Sequence, residues 1–342
     1  MAKQKQRLVG RRSQVSLRDV ARLAEVSEST VSRIMRNQNL VTEATREKVM
    51  ESVRALGYVP NRIAGSLASL DSRLIGVVIP SLSNIVFPEV LQGINAGLAG
   101  TDRQSVISVT DYDLDQEEVV VRNILAWQPA AVLIAGSTHT DTTRRMLEQS
   151  GIRIVEFMEI DHAPIDVVIG LSHVGAGRAA AQHLIAKGYR RFGYVGYGGN
   201  ADIRALMRYD GLRAGLAEAG LTLEAESKSE GQTSVEKGKA QTADLCARAP
   251  GIEVVVYSND DMAVGGLFHC MGAGISVPGD MALFGFNGLD IGRAMPQPLS
   301  TIRSNRFLIG RKAVDEVLSS TSRAEGGRVI DTGFEIVEGA TA

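Results

Sequence analysis

The sequence predicts two fold classes in one chain: an all-α helix-turn-helix headpiece, followed by an α/β body of two doubly wound parallel-sheet lobes. Residues 17–56 carry apolar side chains at helical spacing, with a tight turn after the first helix. From Leu74 onward, short apolar runs alternate with amphipathic segments of helix length, which is typical of parallel sheets covered on both faces. This second pattern fills about 270 residues, a length that favours two lobes over one enlarged core.

The headpiece is predicted to span 16–60 and to contain three helices. The first helix has an apolar face formed by Leu17, Val20, Ala21, Leu23 and Ala24. The third helix opens at Thr42, repeats apolar residues at Val49, Val53 and Leu56, and ends at Gly57, a residue that favours a left-handed cap.

The second helix is predicted to start after Ser27, which is a favoured N-cap residue, and to bury Val31 and Ile34. Its remaining positions form a polar outer edge, as a helix needs if it is to meet base pairs in the major groove. We expect Arg33 to make a bidentate contact to guanine. Two interpretations of Glu28 stay open, since it can accept from cytosine N4 or favour the positive end of its own helix.

Charge is distributed unevenly along the chain. Residues 1–70 contain 13 Lys and Arg against six Asp and Glu, a net charge of +7, while the rest of the chain carries −9 and the total is −2. A polyanion would therefore be attracted to one end only. Residues 1–15 are predicted to be a solvated basic tail, and 61–73 a linker too short to be a stable isolated helix.

Four phrases in the first 62 residues carry a family resemblance. They read LRDVA at 17–21, STVSR at 29–33, TREKV at 45–49 and LGYVPNR at 56–62. In this order they resemble the headpiece of the LacI/GalR family of bacterial transcription repressors. The alternative is a three-helix bundle without a role in DNA binding.

The resemblance implies a homodimer that reads a near-palindromic double-stranded DNA operator. In the family, the linker becomes a hinge helix on operator DNA, and a leucine wedges into the minor groove, at the position matched here by Leu67. The alternative for Leu67 is ordinary packing on the body. The predicted DNA contacts are Leu17, Ser27, Glu28, Ser29, Thr30, Ser32, Arg33, Arg36, Thr42, Asn61, Arg62, Ala64 and Leu67.

The body, assigned to 74–342, is predicted to have strands at 75–79, 105–109, 131–134, 153–157, 192–195, 254–257 and 282–286. It resembles the sugar-binding body of the same family, which is shaped like a periplasmic binding protein with three crossing strands. The resemblance places the first lobe at about 74–171 and 303–329, and the second at about 172–302 and 330–342.

Ligands of such folds bind beyond the carboxyl ends of the strands, where this chain offers hydroxyls, amides and arginines. This set suits a polyol, with an arginine available for a carboxylate. Asn287 and Gly288 stand where many sugar-binding members carry two aspartates, which favours a sugar acid. The predicted effector contacts are Ser81, Asn84, Phe87, His139, Glu159, Arg204, Arg208, Asn259 and Asn287.

Three further phrases, at 80–94, 138–140 and 285–292, resemble the gluconate-operon repressors within the family. They favour gluconate, 2-ketogluconate or a related aldonate, with a neutral sugar or another metabolite as the alternative. His139 can instead be a loop histidine without a ligand. Arg204 and Arg208 can instead pair with Asp202 or Asp210 on a solvated helix face.

Other chemistry finds little support in the residue pattern. The five histidines lack metal-ligand spacing, and no nucleotide loop or catalytic triad is present, so we expect no metal, no cofactor and no enzymatic activity. An enzyme with a DNA-binding tail is the weaker alternative. Cys246 and Cys270 are expected to be reduced, and the chain, without an apolar signal or membrane span, to lie in the bacterial cytoplasm on the nucleoid.

Overall fold

A computed structural model of the chain describes residues 15–35, 41–59, 72–199, 202–319 and 326–342. The chain divides into two compact units, Met1–Ser72 and Arg73–Ala342. The predicted basic tail, apart from its last residue, and the predicted linker 61–73, apart from its last two residues, lie outside the described residues.

The first unit contains the three predicted helices, α1 (Leu17–Leu23), α2 (Glu28–Met35) and α3 (Glu43–Leu56). Ser16 and Thr42 cap α1 and α3 through their side-chain oxygens, and Gly57 ends α3 in the left-handed conformation at φ 61°. The small core of this unit consists of Val20, Ala21, Ala24, Val31, Ile34 and Val49. The helix-turn-helix prediction is confirmed.

The second unit has twelve strands among its described residues. They are β1 (Leu74–Ile79), β2 (Gln104–Val109), β3 (Ala131–Ala135), β4 (Arg153–Glu159), β5 (Val167–Leu171), β6 (Phe192–Tyr197), β7 (Leu223–Ser229), β8 (Val254–Tyr257), β9 (Ala282–Phe284), β10 (Thr301–Ser304), β11 (Arg328–Asp331) and β12 (Phe334–Val337).

Nine helices cover these strands in the described part of the unit. They are α4 (Val86–Leu98), α5 (Leu114–Ala126), α6 (Asp141–Gln149), α7 (His173–Ala186), α8 (Ile203–Glu218), α9 (Val235–Arg248), α10 (Asp260–Ala273), α11 (Asp290–Ala294) and α12 (Arg306–Leu318).

The strands form two parallel sheets, one in each lobe, as the fold-class prediction requires. The first sheet has the order β11-β5-β4-β3-β1-β2, and the second has the order β7-β6-β8-β9. A third, two-stranded antiparallel sheet pairs β10 with β12 where the chain passes between the lobes. All seven predicted strands are present, and β5, β7, β10, β11 and β12 were not predicted.

The lobe boundaries follow from strand pairing. β11 pairs with β5 and so extends the first lobe to Asp331, two residues beyond the predicted limit of 329. The chain then returns to the second lobe, where the Leu283 amide donates to the carbonyl of Thr341 at 2.8 Å.

Helices α7 and α8 of the second lobe touch backbone to backbone. A Cβ added at Gly177 on α7 would overlap the carbonyl oxygen of Arg208, and one added at Gly211 on α8 would overlap the carbonyl of Val174. Only glycine permits this approach at both positions. The contact fixes the position of α8, which carries two of the predicted site residues.

Candidate functional site

A cavity of about 580 Å³ lies between the two lobes of the second unit, beside the carboxyl ends of their strands. Its volume is in the range of small-molecule sites. Among the predicted effector contacts, Ser81, Asn84, Arg204, Arg208, Asn259 and Asn287 line it.

Arg208 is a half-buried cation in this cavity, and its contacts in the described part of the chain are to neutral groups. One guanidinium nitrogen is 3.1 Å from Nδ1 of His173, and another donates to the carbonyl of Ser258 at 3.0 Å. The guanidinium also lies over the Phe286 ring, 4.1 Å from its centroid. Among the described residues it forms no ion pair, its Nε has no hydrogen-bond partner, and burial lowers its pKa.

His173 supports Arg208 as a neutral imidazole. It starts α7, is 2 % exposed, and lines the cavity. Burial first, and then the charges of Arg208 and Arg204, hold the pKa of His173 well below its ordinary value. Because a guanidinium can only donate, Nδ1 of His173 accepts the hydrogen bond from Arg208.

Arg204 lies one helical turn before Arg208 and, unlike Arg208 within the described ranges, has an acidic partner. Its Nη1 is 3.2 Å from Oε2 of Glu159, so the pair joins α8 of the second lobe to β4 of the first. Burial acts to lower the pKa of Arg204, but the carboxylates of Glu159 and Asp202 outweigh it and the pKa is raised. Neither arginine lies on a solvated helix face.

Glu159 and Phe87 stand behind Arg204 and do not line the cavity. Glu159 is 2 % exposed, and its Oε1 accepts from the Ser137 amide at 2.9 Å. Phe87 is fully buried, with its ring centroid 5.5 Å from the Arg204 guanidinium carbon. Glu159 and Phe87 therefore do not contact the cavity directly and can affect it by positioning Arg204.

His139 was predicted to contact the effector but does not line the cavity. Its side chain is buried against α5 and β4, with Nδ1 2.7 Å from Glu117 and Nε2 3.5 Å from Glu156. Burial acts to lower its pKa, but the two carboxylates raise it to about 9. This corrects the expected placement of His139 at the cavity and corresponds to the alternative of a histidine without a ligand.

The loop after β1 is shaped by its own side chains. Oγ of Ser81 accepts from the amides of Ser83 and Asn84, both at 3.2 Å. Nδ2 of Asn84 donates to the Tyr112 hydroxyl at 2.7 Å. The Gln232 side chain of the second lobe reaches Oγ of Ser83 at 3.4 Å, which adds a second link between the lobes.

Two asparagines complete the predicted set. Asn259 caps α10 through Oδ1 and donates from Nδ2 to Thr233 at 2.7 Å. Asn287 has a positive φ of 127°, and its backbone oxygen accepts from Arg306. Each lies beyond the carboxyl end of a strand and is held there by backbone or side-chain contacts.

The sequence analysis missed several polar residues that also line the cavity. Some follow predicted strands and could have been found from that position alone, such as the two residues shortly after β2. Others follow β5 and β7, which were not predicted. The missed residues are Ser83, Asp111, Tyr112, His173, Tyr197, Asp202, Gln232, Thr233, Asp261 and Ser304.

The headpiece presents α2 with a polar outer edge. Glu28, Ser29 and Arg33 are exposed, Thr30 and Ser32 are half-buried, and Val31 and Ile34 are buried beneath them. Ser27 caps the helix, since its Oγ accepts from the Thr30 amide at 3.2 Å.

The other predicted DNA contacts differ in their placement. Thr42 is exposed at the start of α3, while Leu17 is half-buried and packs against the headpiece core. Arg36, Asn61, Arg62, Ala64 and Leu67 lie outside the described residues.

Comparison with known proteins identifies both units. Residues 16–61 match the family of bacterial regulatory proteins named lacI, and residues 72–335 match the periplasmic binding proteins and sugar binding domain of the LacI family. The chain belongs to the LacI family. It is therefore a DNA-binding transcriptional regulator, and its relatives are regulators and not enzymes.

Two relatives of this LacI-family regulator are similar over nearly the whole chain. The HTH-type transcriptional regulator GntR of Pseudomonas aeruginosa is 37% identical over 324 residues, covering 94% of each chain. The regulator of the same name from Escherichia coli is 32% identical over 330 residues, covering 95% of this chain and 98% of that one.

Solved structures agree with this family assignment. A LacI-family regulator from Silicibacter pomeroyi superposes with a TM-score of 0.91 at 41% identity, covering 96% of this chain and 99% of that one. The lac repressor dimer bound to operator and the anti-inducer ONPF superposes with a TM-score of 0.83 at 26% identity, with the same coverage.

The described residues contain neither a candidate membrane span nor a candidate metal site. No helix there combines the length and apolar character needed to cross a membrane. In the same ranges, no group of three or more His, Cys, Asp or Glu side chains is arranged to hold a metal ion.

Proposed function

We propose that this LacI-family regulator controls genes of sugar-acid catabolism from the bacterial nucleoid, and that a small sugar acid such as gluconate or 2-ketogluconate is its effector. The observation that carries the proposal is Arg208, a half-buried cation that lines the cavity and forms no ion pair among the described residues. A ligand carboxylate would satisfy its free donors by charge-assisted hydrogen bonds. The resemblance to GntR proteins supports the same ligand class.

The hydroxyls of the ligand would meet the other polar groups of the cavity. Carboxylates accept hydrogen bonds from hydroxyls, while amides and hydroxyls both donate and accept them. The lining provides such groups at Asp202, Asp261, Asn84 and Thr233. The same carboxylates favour a second candidate, a neutral sugar, because they accept hydrogen bonds from the hydroxyls of an uncharged polyol without repelling it.

For DNA, we infer that a homodimer uses the outer edges of two α2 helices to read a near-palindromic operator. The exposed Glu28, Ser29 and Arg33 support this role, as does the similarity to a lac repressor dimer whose structure includes operator. Effector and operator would each prefer a different arrangement of the lobes. Each then weakens or strengthens the other by the same coupling free energy, typically about 1–3 kcal/mol.

The test of the effector class is thermal unfolding of the full chain with glucose, gluconate and 2-ketogluconate. A ligand that binds only the folded state raises the apparent unfolding temperature by mass action. We expect the two acids to raise it and glucose to leave it unchanged. A shift with glucose alone would replace the sugar acid with the neutral-sugar candidate.

A further inference from the structure

The two arginines of α8 line the same cavity but differ in what already neutralises them. Nη1 of Arg204 is 3.2 Å from Oε2 of Glu159, whereas Arg208 has no carboxylate partner among the described residues. The pKa values differ in the same sense, since that of Arg204 is raised and that of Arg208 is lowered. One of the two cations is therefore available to a ligand and the other is already paired.

The Glu159 carboxylate is held beside Arg204 by contacts to both of its oxygens. It is 2 % exposed at the end of β4, and the Ser137 amide donates to its Oε1 at 2.9 Å. The backbone at Gly136 is close behind, since a Cβ added there would lie 3.3 Å from the same oxygen. A buried carboxylate fixed by a backbone amide and a guanidinium stays in place when a ligand enters.

The other acidic groups of the cavity act against a second ligand charge. Asp202 and Asp261 line the cavity, and Asp202 lies near both arginines. Like charges a few ångström apart in a partly dry site repel strongly. A ligand with one carboxylate can place it on Arg208, but a second carboxylate would meet acids or an arginine that is already paired.

We propose that Glu159, by occupying Arg204, restricts this site to ligands with a single negative charge and excludes dicarboxylates of the same size. The proposal rests on the proposed function, because it assumes that a carboxylate binds at Arg208. It gives Glu159 a positioning role in ligand selection without direct contact to the ligand. Discrimination comes from an unfavourable interaction with the wrong ligand as well as a favourable one with the right ligand.

The test is calorimetric titration of the full chain with glucose, gluconate and glucarate, which share a six-carbon chain and carry zero, one and two carboxylates. We expect the wild-type protein to bind gluconate at least about tenfold more tightly than glucarate. In Glu159→Gln, the amide oxygen still accepts from Ser137 while Arg204 is released. The gluconate-to-glucarate affinity ratio should then fall by about tenfold or more.

A matched control is Glu156→Gln, on the same strand. Glu156 is fully buried but lies next to His139, away from the cavity, and its replacement should leave the affinity ratio unchanged within about twofold. A similar change of ratio in both variants, or no change in Glu159→Gln, would overturn the proposal while leaving the proposed function intact.

Wild-type titrations separate the two proposals further. If neither acid binds better than glucose, the proposed effector class is wrong. If gluconate and glucarate bind equally well, the sugar-acid class stands and the role of Glu159 is refuted. This comparison decides the matter even if Glu159→Gln does not fold.

Discussion

Arg208 brings a positive charge to the cavity, where its contacts among the described residues are to neutral groups and an aromatic ring. Removing a cation from water costs free energy, and a structure keeps it there when a bound anion repays that cost. The neutral His173 orients the guanidinium without neutralising it. At the level of single residues, this arrangement supports the proposed preference for an acid over an uncharged ligand.

The substitution Arg208→Gln should weaken gluconate binding by about 100-fold, because charge-assisted hydrogen bonds to the carboxylate are lost. Operator binding should persist, since Arg208 belongs to the second unit. Calorimetry with gluconate and fluorescence anisotropy with operator DNA measure the two effects. The control is Arg213→Gln, an exposed arginine of the same helix, and an equal loss in both variants would rule out a specific role for Arg208.

His139 should make stability depend on pH in the alkaline range. The pKa of His139 is raised from 6.5 to about 9, so its stabilising effect is complete below pH 6.5 and disappears as the pH rises through 9. Between about pH 6 and pH 10, the wild type should lose roughly 3 kcal/mol more unfolding free energy than His139→Gln. Urea unfolding of both proteins at the two pH values tests this, and parallel losses would contradict it.

At the scale of elements, the packing of α7 on α8 determines where the cavity arginines lie. Gly177 and Gly211 allow the two backbones to touch, and Arg208 provides one of the carbonyls in contact. A shift of α8 by the width of one methyl group would move both arginines relative to Glu159 and His173. Ligand recognition thus depends on residues that never meet the ligand.

We expect Gly177→Ala to destabilise the protein by about 1–3 kcal/mol and to weaken gluconate binding, because the new methyl group overlaps the backbone of α8. The matched control is Gly272→Ala in α10, where a Cβ would meet nothing within 4 Å. That change should stabilise by about 0.5–1 kcal/mol, since alanine is the better helix former. Thermal unfolding and calorimetry of both variants test the contrast, which fails if both behave alike.

Elements also explain which site residues the sequence could reveal. Strands with continuous apolar runs, such as β1 and β8, were predicted together with the polar residues that follow them. β7 carries alternating charged residues and lacks this signal, while β5 has an apolar run that was not recognised as a strand. His173, Gln232 and Thr233 follow these two strands and were missed with them. Partners distant in sequence, such as Arg204 and Glu159, depend on how the lobes come together and leave no local pattern.

For the whole molecule, the separation of charge along the chain matters more than the net charge of −2. The first 70 residues carry +7 and would be attracted to phosphates, while the acidic remainder would be repelled by them. A regulator with this distribution is oriented on DNA before any base is read. The proposed effector site lies in the acidic part of the chain, where ligand binding would rely on one local cation.

This charge distribution predicts that salt changes the affinity for operator DNA more than the affinity for gluconate. Operator affinity should fall at least about tenfold between roughly 50 and 200 mM salt, because phosphate contacts release counterions. Gluconate affinity should change by less than about threefold, since the charge that binds it is buried. Anisotropy and calorimetry over a salt series provide both slopes, and similar slopes would argue against separate sites.

The backbone contact between α7 and α8 also constrains how this regulator can evolve. Any change in the distance between the two helices would disrupt their backbone contact. Substitutions that keep the fold should therefore also keep the spacing between His173 and Arg208. New ligand preferences are therefore accessible mainly through exchanges on the loops around the cavity, at positions such as Asp111, Tyr112 and Gln232. Related regulators that respond to other ligands should differ at those loop positions and retain Gly177 and Gly211.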